Sequence, residues 1–150
     1  MTATLHTTAP TTTTSSTSPT LQAVAIGATR VVVSFLFICH GVLGLFGTFG
    51  GVDGKGGAVE LFSWPDWWGS TIHLVAGAFV LAGLFTRAAA LLCSGAMAYA
   101  YFTVHQPIAL LPLPNGGEPA ALFAWIFLLI AIIGPGAFAL DTLRRRRSAA

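Results

Sequence analysis

The sequence alternates between long apolar runs and short connections rich in glycine or polar residues. A membrane-spanning helix needs about 20 apolar residues, and four runs reach or approach that length. Thr86 and Arg87 leave only a tight turn between the second and third runs, so these two helices are expected to be antiparallel neighbours. We predict helices at about residues 24–48, 67–85, 88–104 and 120–140.

The fourth run contains the motif Gly134-Pro135-Gly136. A proline inside a helix removes one backbone hydrogen bond and clashes with the preceding turn. We therefore expect a kink or a break at this point of the fourth helix.

The segments that flank the apolar runs have a different composition. Residues 1–20 are mostly Thr and Ser and contain no Lys, Arg, Asp or Glu. Such a segment cannot bury enough apolar surface to fold, so we predict a disordered tail. Residues 21–143 then form one transmembrane domain of four helices, and residues 144–150 form a basic cytoplasmic tail.

The composition excludes an ordinary soluble domain. Of the 150 residues, 55% are hydrophobic and only 8% are charged, whereas soluble domains carry roughly a quarter charged residues. The predicted fold class is therefore an all-α integral membrane protein, a bundle of four transmembrane helices in contact with the lipid bilayer. The one basic run, residues 144–147, has no interleaved aromatic residues, so we expect no binding of nucleic acid.

The basic residues predict how the chain is oriented in the membrane. With four spans, both termini lie on one side, and that side holds six of the seven Lys and Arg residues, while the other holds only Lys55. Cytoplasmic loops carry an excess of Lys and Arg. The N- and C-termini are therefore predicted to be cytoplasmic.

Five short motifs follow one another between residues 30 and 141. They are His40-Gly41, Gly77-x5-Gly83-Leu84-x-Thr86-Arg87, Ala96-Met97-x-x-Ala100-Tyr101-Phe102-x-x-His105-x-Pro107, Asn115-Gly116-Gly117-Glu118 and Gly134-Pro135-Gly136-x4-Asp141. In order and spacing they resemble the DoxX family. The resemblance implies a small multi-pass protein of the bacterial inner membrane. The family takes its name from a subunit of a quinone-linked sulfur oxidoreductase, which implies a link to redox complexes.

Three histidines are predicted to share the outer half of the bilayer. At 1.5 Å per residue, His40 lies about 10 Å below the outer end of the first helix and His73 about 9 Å below that of the second. His105 closes the outer end of the third. An ionisable residue within a span is costly unless it faces the bundle interior or a cavity, so His40 and His73 indicate a ligand site. The alternative is that both simply form hydrogen bonds between helices or to backbone carbonyls.

Three kinds of ligand suit a pair of imidazoles. They could bind a quinone and move its proton, since histidine titrates near neutral pH, or ligate the iron of haem b from two helices. A metal ion with Glu118 or Glu60 is least favoured, because the sequence lacks the spacing of a closed site, and we predict none. Quinone ranks first because its head group is small, flat and reaches the site through lipid. His105 and Glu118 are predicted to relay protons at the surface.

Two further patterns concern architecture. Arg30 near the inner end of the first helix and Asp141 after the proline motif are predicted to form a structural ion pair, which would lower the cost of placing both charges near lipid. The alternative is that Arg30 extends to the lipid headgroups. Gly41, Gly44 and Gly47 form a stripe that favours close helix packing.

The leading functional hypothesis is a membrane subunit or accessory of a redox or respiratory complex. The alternatives are a non-catalytic membrane scaffold that holds or assembles partner proteins and, less favoured, a carrier of small solutes. The partners to consider are redox proteins or further copies of the same chain. No motif assigns a catalytic residue, so the sequence leaves open whether the protein is an enzyme.

Overall fold

The computed structural model describes residues 19–148, which form helices and no strand. The α-helices are α1 (Pro19–Phe46), α2 (Asp66–Ala82), α3 (Thr86–Ala100), α4 (Glu118–Ile133) and α5 (Leu140–Ser148). A 3-10 turn at Thr48–Gly50 follows α1, and a π-helix at Tyr101–His105 continues α3. The predicted all-α class is confirmed. Most of the predicted tail, residues 1–18, lies outside the described residues.

The helices have the character of a membrane protein. The apolar stretches Thr20–Phe46 and Thr86–His105 are long and apolar enough to cross a bilayer, and Glu118–Ile133 is a shorter apolar helix. Large apolar side chains cover the outward faces, for example Phe35 at 58%, Leu91 at 58% and Leu129 at 55% exposure. Since soluble proteins seldom expose large continuous apolar patches, this surface suits lipid.

The predicted single helix over residues 120–140 is wrong, although the break expected at Pro135 is present. α4 ends at Ile133, and α5 begins at Leu140. Gly134 and Gly136 adopt positive φ angles of 106° and 68°, which glycine tolerates best. Pro135 between them has no N–H to continue the helix. The chain therefore crosses residues 134–139 as an irregular segment.

The helices pack as two closely contacting pairs, α1 with α2 and α3 with α4, and α2 contacts α3 less extensively. The core between them contains Phe37, Val80, Cys93, Phe127 and Ile130. Residues 47–65 and 106–117 lie at one end of the helices, which we call the loop end. The opposite end, where α1 and α3 begin and α5 follows, is called the basic end.

Candidate functional site

A cavity of about 750 Å³ lies between α1, α2 and α3 toward the loop end, with residues from the 47–65 segment closing part of it. Its wall is mainly apolar and aromatic. The side chains in the wall that carry polar groups, apart from tryptophan, are His40, Asp66, Ser70, His73, Tyr99 and Thr103. A concave apolar site with a few polar groups is typical of small-molecule binding. We call it the histidine cavity.

His40 reaches the cavity from α1. Its Nδ1 donates a hydrogen bond of 2.9 Å to the backbone oxygen of Leu36, one turn earlier, and its ring meets Phe123 edge-on at 5.7 Å. Because a carbonyl oxygen can only accept, the neutral imidazole carries its proton on Nδ1 and leaves a lone pair on Nε2. The backbone hydrogen bond thus engages one side of the ring only.

His73 reaches the same cavity from α2, and its ring packs on Phe37 with the centroids 4.3 Å apart. Within the part of the chain that the structure describes, neither ring nitrogen of His73 has a hydrogen-bond partner. Both nitrogens are partly accessible from the cavity. A half-buried polar group without a partner is costly. The two His73 nitrogens therefore need polar partners, which a ligand in this cavity can provide.

His105 and Glu118 do not line the histidine cavity. His105 ends the π-helix, and its Nδ1 donates a 3.1 Å hydrogen bond to the backbone oxygen of Asn115. The buried Asn115 amide in turn donates to Ala109 O and accepts from the N–H of Gly117. These bonds fix the 106–117 segment over the loop end. Glu118 is exposed at the start of α4, and the proposed proton relay stays a prediction.

The Arg30 guanidinium is fully buried and donates only to backbone carbonyls. It bonds to Pro135 O at 2.9 Å and to Val80 O at 2.6 Å. Its remaining acceptors are the carbonyls of Leu81, Ala137 and Phe138. Arg30 thus joins α1, the end of α2 and the irregular segment after α4. The alternative in which it extends to the headgroups does not describe this buried side chain.

Asp141 lies within Coulombic range of Arg30, but no hydrogen bond joins the two. Its carboxylate accepts from the N–H of Phe85 at 3.0 Å, the N–H of Thr86 at 2.9 Å and the Thr86 hydroxyl at 2.8 Å. α3 has no side-chain cap of its own, and the first N–H groups of a helix need outside acceptors. Asp141 therefore caps α3 from α5 instead of forming the direct pair with Arg30 that the sequence suggested.

Replacing Asp141 by asparagine is expected to lower the free energy of unfolding at neutral pH by about 1 kcal/mol, because the amide keeps one acceptor oxygen and turns an NH2 group toward a donor of Thr86 or Phe85. Partial burial alone would raise the pKa of Asp141, but the hydrogen bonds from Thr86 and Phe85 outweigh it and hold the pKa below its ordinary value. The stability it contributes is present above a pH of about 4 and is lost as the pH falls through the lower pKa of the folded state.

Unfolding in detergent, measured from pH 7 down into the acidic range, checks this. The Asp141→Asn protein should lose less stability on acidification than the wild type does. Thr86→Val, which removes one of the three donors, should give an intermediate profile. Identical acid profiles for the wild type and Asp141→Asn would contradict the assignment.

Comparison with known proteins found a matching family model and a similar protein. The family model described as DoxX matches residues 25–106, more than half of the chain. The chain belongs to the DoxX family. It is also 38% identical over 122 residues to an uncharacterized protein of Haemophilus influenzae, an alignment that covers 75% of this chain and 84% of that relative. No solved structure matches the chain significantly. DoxX proteins are membrane-associated.

The histidine cavity of this DoxX protein also contains polar residues that the sequence reasoning missed. Ser70 precedes His73 by one helical turn, and Tyr99 precedes Thr103 by four positions on α3 and its π continuation. Residues three or four apart share a helix face. The spacing from His73 on α2 could therefore have predicted Ser70. Nothing in the sequence links Tyr99 and Thr103 to the histidines.

Proposed function

We propose that this DoxX protein is a multi-pass inner-membrane subunit or accessory of a redox complex, and that it binds a quinone beside His40 and His73. The observation that carries the proposal is the His73 imidazole. It lines an apolar cavity of about 750 Å³ and has no hydrogen-bond partner among the described residues. A ligand with a polar carbonyl or hydroxyl on a flat apolar ring meets both properties of this site.

The walls of the cavity support a flat ring. Trp64, Trp68 and Tyr99 all contribute to it, and aromatic side chains favour stacked or edge-on contacts with other rings. His40 and His73 themselves rest on Phe123 and Phe37, two neighbouring rings whose centroids are 5.4 Å apart. Because both imidazoles are supported by the same aromatic group, they favour a ligand beside the pair over a haem macrocycle clamped between them.

The protonation of His40 defines what the chain can do at this site. The neutral ring keeps its Nδ1 proton on Leu36 O, so Nε2 can accept a proton from a ligand hydroxyl, and the protonated ring can donate it again. His73 has both nitrogens open to a ligand. A bound quinone would supply two-electron redox chemistry, and the histidines would hold its polar atoms and exchange protons with them.

The proposed orientation places the basic end in the cytoplasm. Arg30, Arg87 and Arg144 belong to that end, whereas Lys55 belongs to the loop end. The excess of Lys and Arg on cytoplasmic loops supports cytoplasmic termini. The histidine cavity then lies in the half of the membrane away from the cytoplasm, where a partner redox protein on that side could reach it.

Replacing His73 by alanine is expected to reduce the quinone that copurifies with the full-length protein at least about tenfold, because a hydrogen bond to a polar ligand atom is lost. The measurement is extraction of protein purified with native lipids, followed by chromatographic quantification of quinone. Leu129→Ala is the control, since Leu129 is exposed on α4 and does not line the histidine cavity. His73→Gln, which keeps a donor and an acceptor, should retain part of the quinone.

Equal quinone content in the wild type and in a folded His73→Ala protein would contradict the proposal. A visible spectrum of the same samples provides a second readout. A Soret band that disappears in His73→Ala would identify the ligand as haem and not quinone.

A further inference from the structure

A second, smaller cavity adjoins the histidine cavity. It measures about 430 Å³, lies between α2 and α3 and extends to Phe79 and Phe85 near the basic end. Trp68, Ile72, Ala88 and Leu92 line both cavities. The two spaces therefore follow one another along the seam between these helices. We call the smaller one the α2–α3 groove.

The groove offers nothing for a polar group to bind. Thr71 is its one polar side chain apart from the indole of Trp68, and the Thr71 hydroxyl already donates a 2.8 Å hydrogen bond to Trp67 O. Its floor includes the small buried residues Ala76 and Ala89. A surface of this kind gains free energy when apolar area is covered and closely packed, so the groove suits a hydrocarbon.

The groove opens sideways. Val75 is 50% exposed and Phe85 is 59% exposed on its rim, so an occupant can enter from the surface that faces lipid. From Trp68 to Phe79 the groove follows α2 for about 16 Å at the usual helical rise. The histidine cavity offers polar groups, and the adjoining groove is long and apolar. Together they match a molecule with a flat polar head and a long apolar tail.

We propose that the ligand is a quinone with an isoprenoid tail, and that the first isoprene units of the tail lie in the α2–α3 groove. This inference rests on the proposed function, because the head group is the one assigned to the histidine cavity. The tail is assigned to the groove because the groove is continuous with the histidine cavity. A tail bound by this groove holds the head group at His40 and His73 and leaves the rest of the chain in the bilayer.

The first experiment locates the tail in the wild-type protein. The full chain in lipid nanodiscs is irradiated with a benzoquinone whose second isoprene unit carries a diazirine, and the labelled residues are identified by mass spectrometry. Labelling should concentrate on groove residues such as Val75, Phe79 and Leu92. An excess of the same quinone without the diazirine should prevent it. Labelling spread equally over outward positions such as Leu129 on α4 would show ordinary contact with the bilayer and overturn the inference.

The second experiment blocks the groove. Val75 is half-exposed and lines the groove but not the histidine cavity, so Val75→Trp narrows the groove without altering the wall of the histidine cavity. The affinity for a quinone with two isoprene units should fall at least about tenfold, the loss expected when about two buried methylene groups lose their packing. Ala78→Trp adds the same side chain to α2 at an exposed position outside both cavities, and it should leave that affinity unchanged.

A tail-less benzoquinone separates the two proposals. It should bind to wild-type and Val75→Trp protein with the same affinity, and its binding should be lost in His73→Ala. If the tail-less quinone binds and the affinity for the prenylated quinone is unchanged in Val75→Trp, the groove assignment is wrong and the histidine site stands. If neither quinone binds to the wild-type protein, the proposed function fails and this inference fails with it.

Discussion

Replacing Arg30 by methionine is expected to lower the free energy of unfolding by at least about 3 kcal/mol. The carbonyls of Leu81, Pro135 and Phe138 would each lose the guanidinium donor, and a buried acceptor without a donor costs about 1–3 kcal/mol. Val80 O suffers less because it also accepts from the N–H of Gly83. The guanidinium charge also faces the C-terminal end of α2, where a positive charge is stabilising.

The measurement is unfolding in mixed detergent micelles, together with the yield of monodisperse protein. Arg87→Met is the matched control, because Arg87 is exposed and makes only a 3.4 Å contact with Ile133 O, so its loss should change stability little. Arg30→Lys should fall between the two, since one ammonium group cannot reach carbonyls on both α2 and the irregular segment. Wild-type stability in Arg30→Met would refute the role assigned to this network.

The partners of Arg30 show where sequence reasoning stops. A buried arginine needs hydrogen-bond acceptors, and the carboxylate of Asp141 was the acceptor that could be identified from the sequence. Backbone carbonyls carry no such signature, because every residue has one. Which carbonyls are free depends on where α2 ends at Gly83 and on the path of residues 134–139. Both follow from tertiary placement, so the partners could not be predicted from the sequence.

The histidines show a similar division. Helix rise alone placed His40 and His73 at a common depth, and the structure brings both to one cavity. Helix rise also predicted the depth of His105 in the membrane, but not the direction of its side chain. The π-helix at Tyr101–His105 changes the angular position of each following side chain relative to a regular α-helix, and no residue pattern in that stretch announces it. The His105 ring consequently lies on the 106–117 segment and not in the cavity.

Gly41 provides the second large expected effect, because it lies where α1 packs directly against the backbone of α2. A Cβ atom at this position would lie 2.6 Å from Leu74 N and 2.8 Å from Ser70 O, both backbone atoms of α2. A backbone cannot move aside as a flexible side chain can, so the helices must separate. Gly41→Ala is therefore expected to destabilise the protein by about 1–3 kcal/mol, which exceeds the gain of about 1 kcal/mol in helix propensity.

The same substitution at Gly95 should have the opposite sign. Gly95 lies inside α3, and nothing is within 4 Å of the Cβ that would be added there. Gly95→Ala should therefore stabilise the protein by up to about 1 kcal/mol. Separation of α1 from α2 should also displace His40 from His73, so a folded Gly41→Ala protein is expected to retain less quinone. If both alanine variants shifted the unfolding free energy in the same direction, helix propensity and not close packing would govern Gly41.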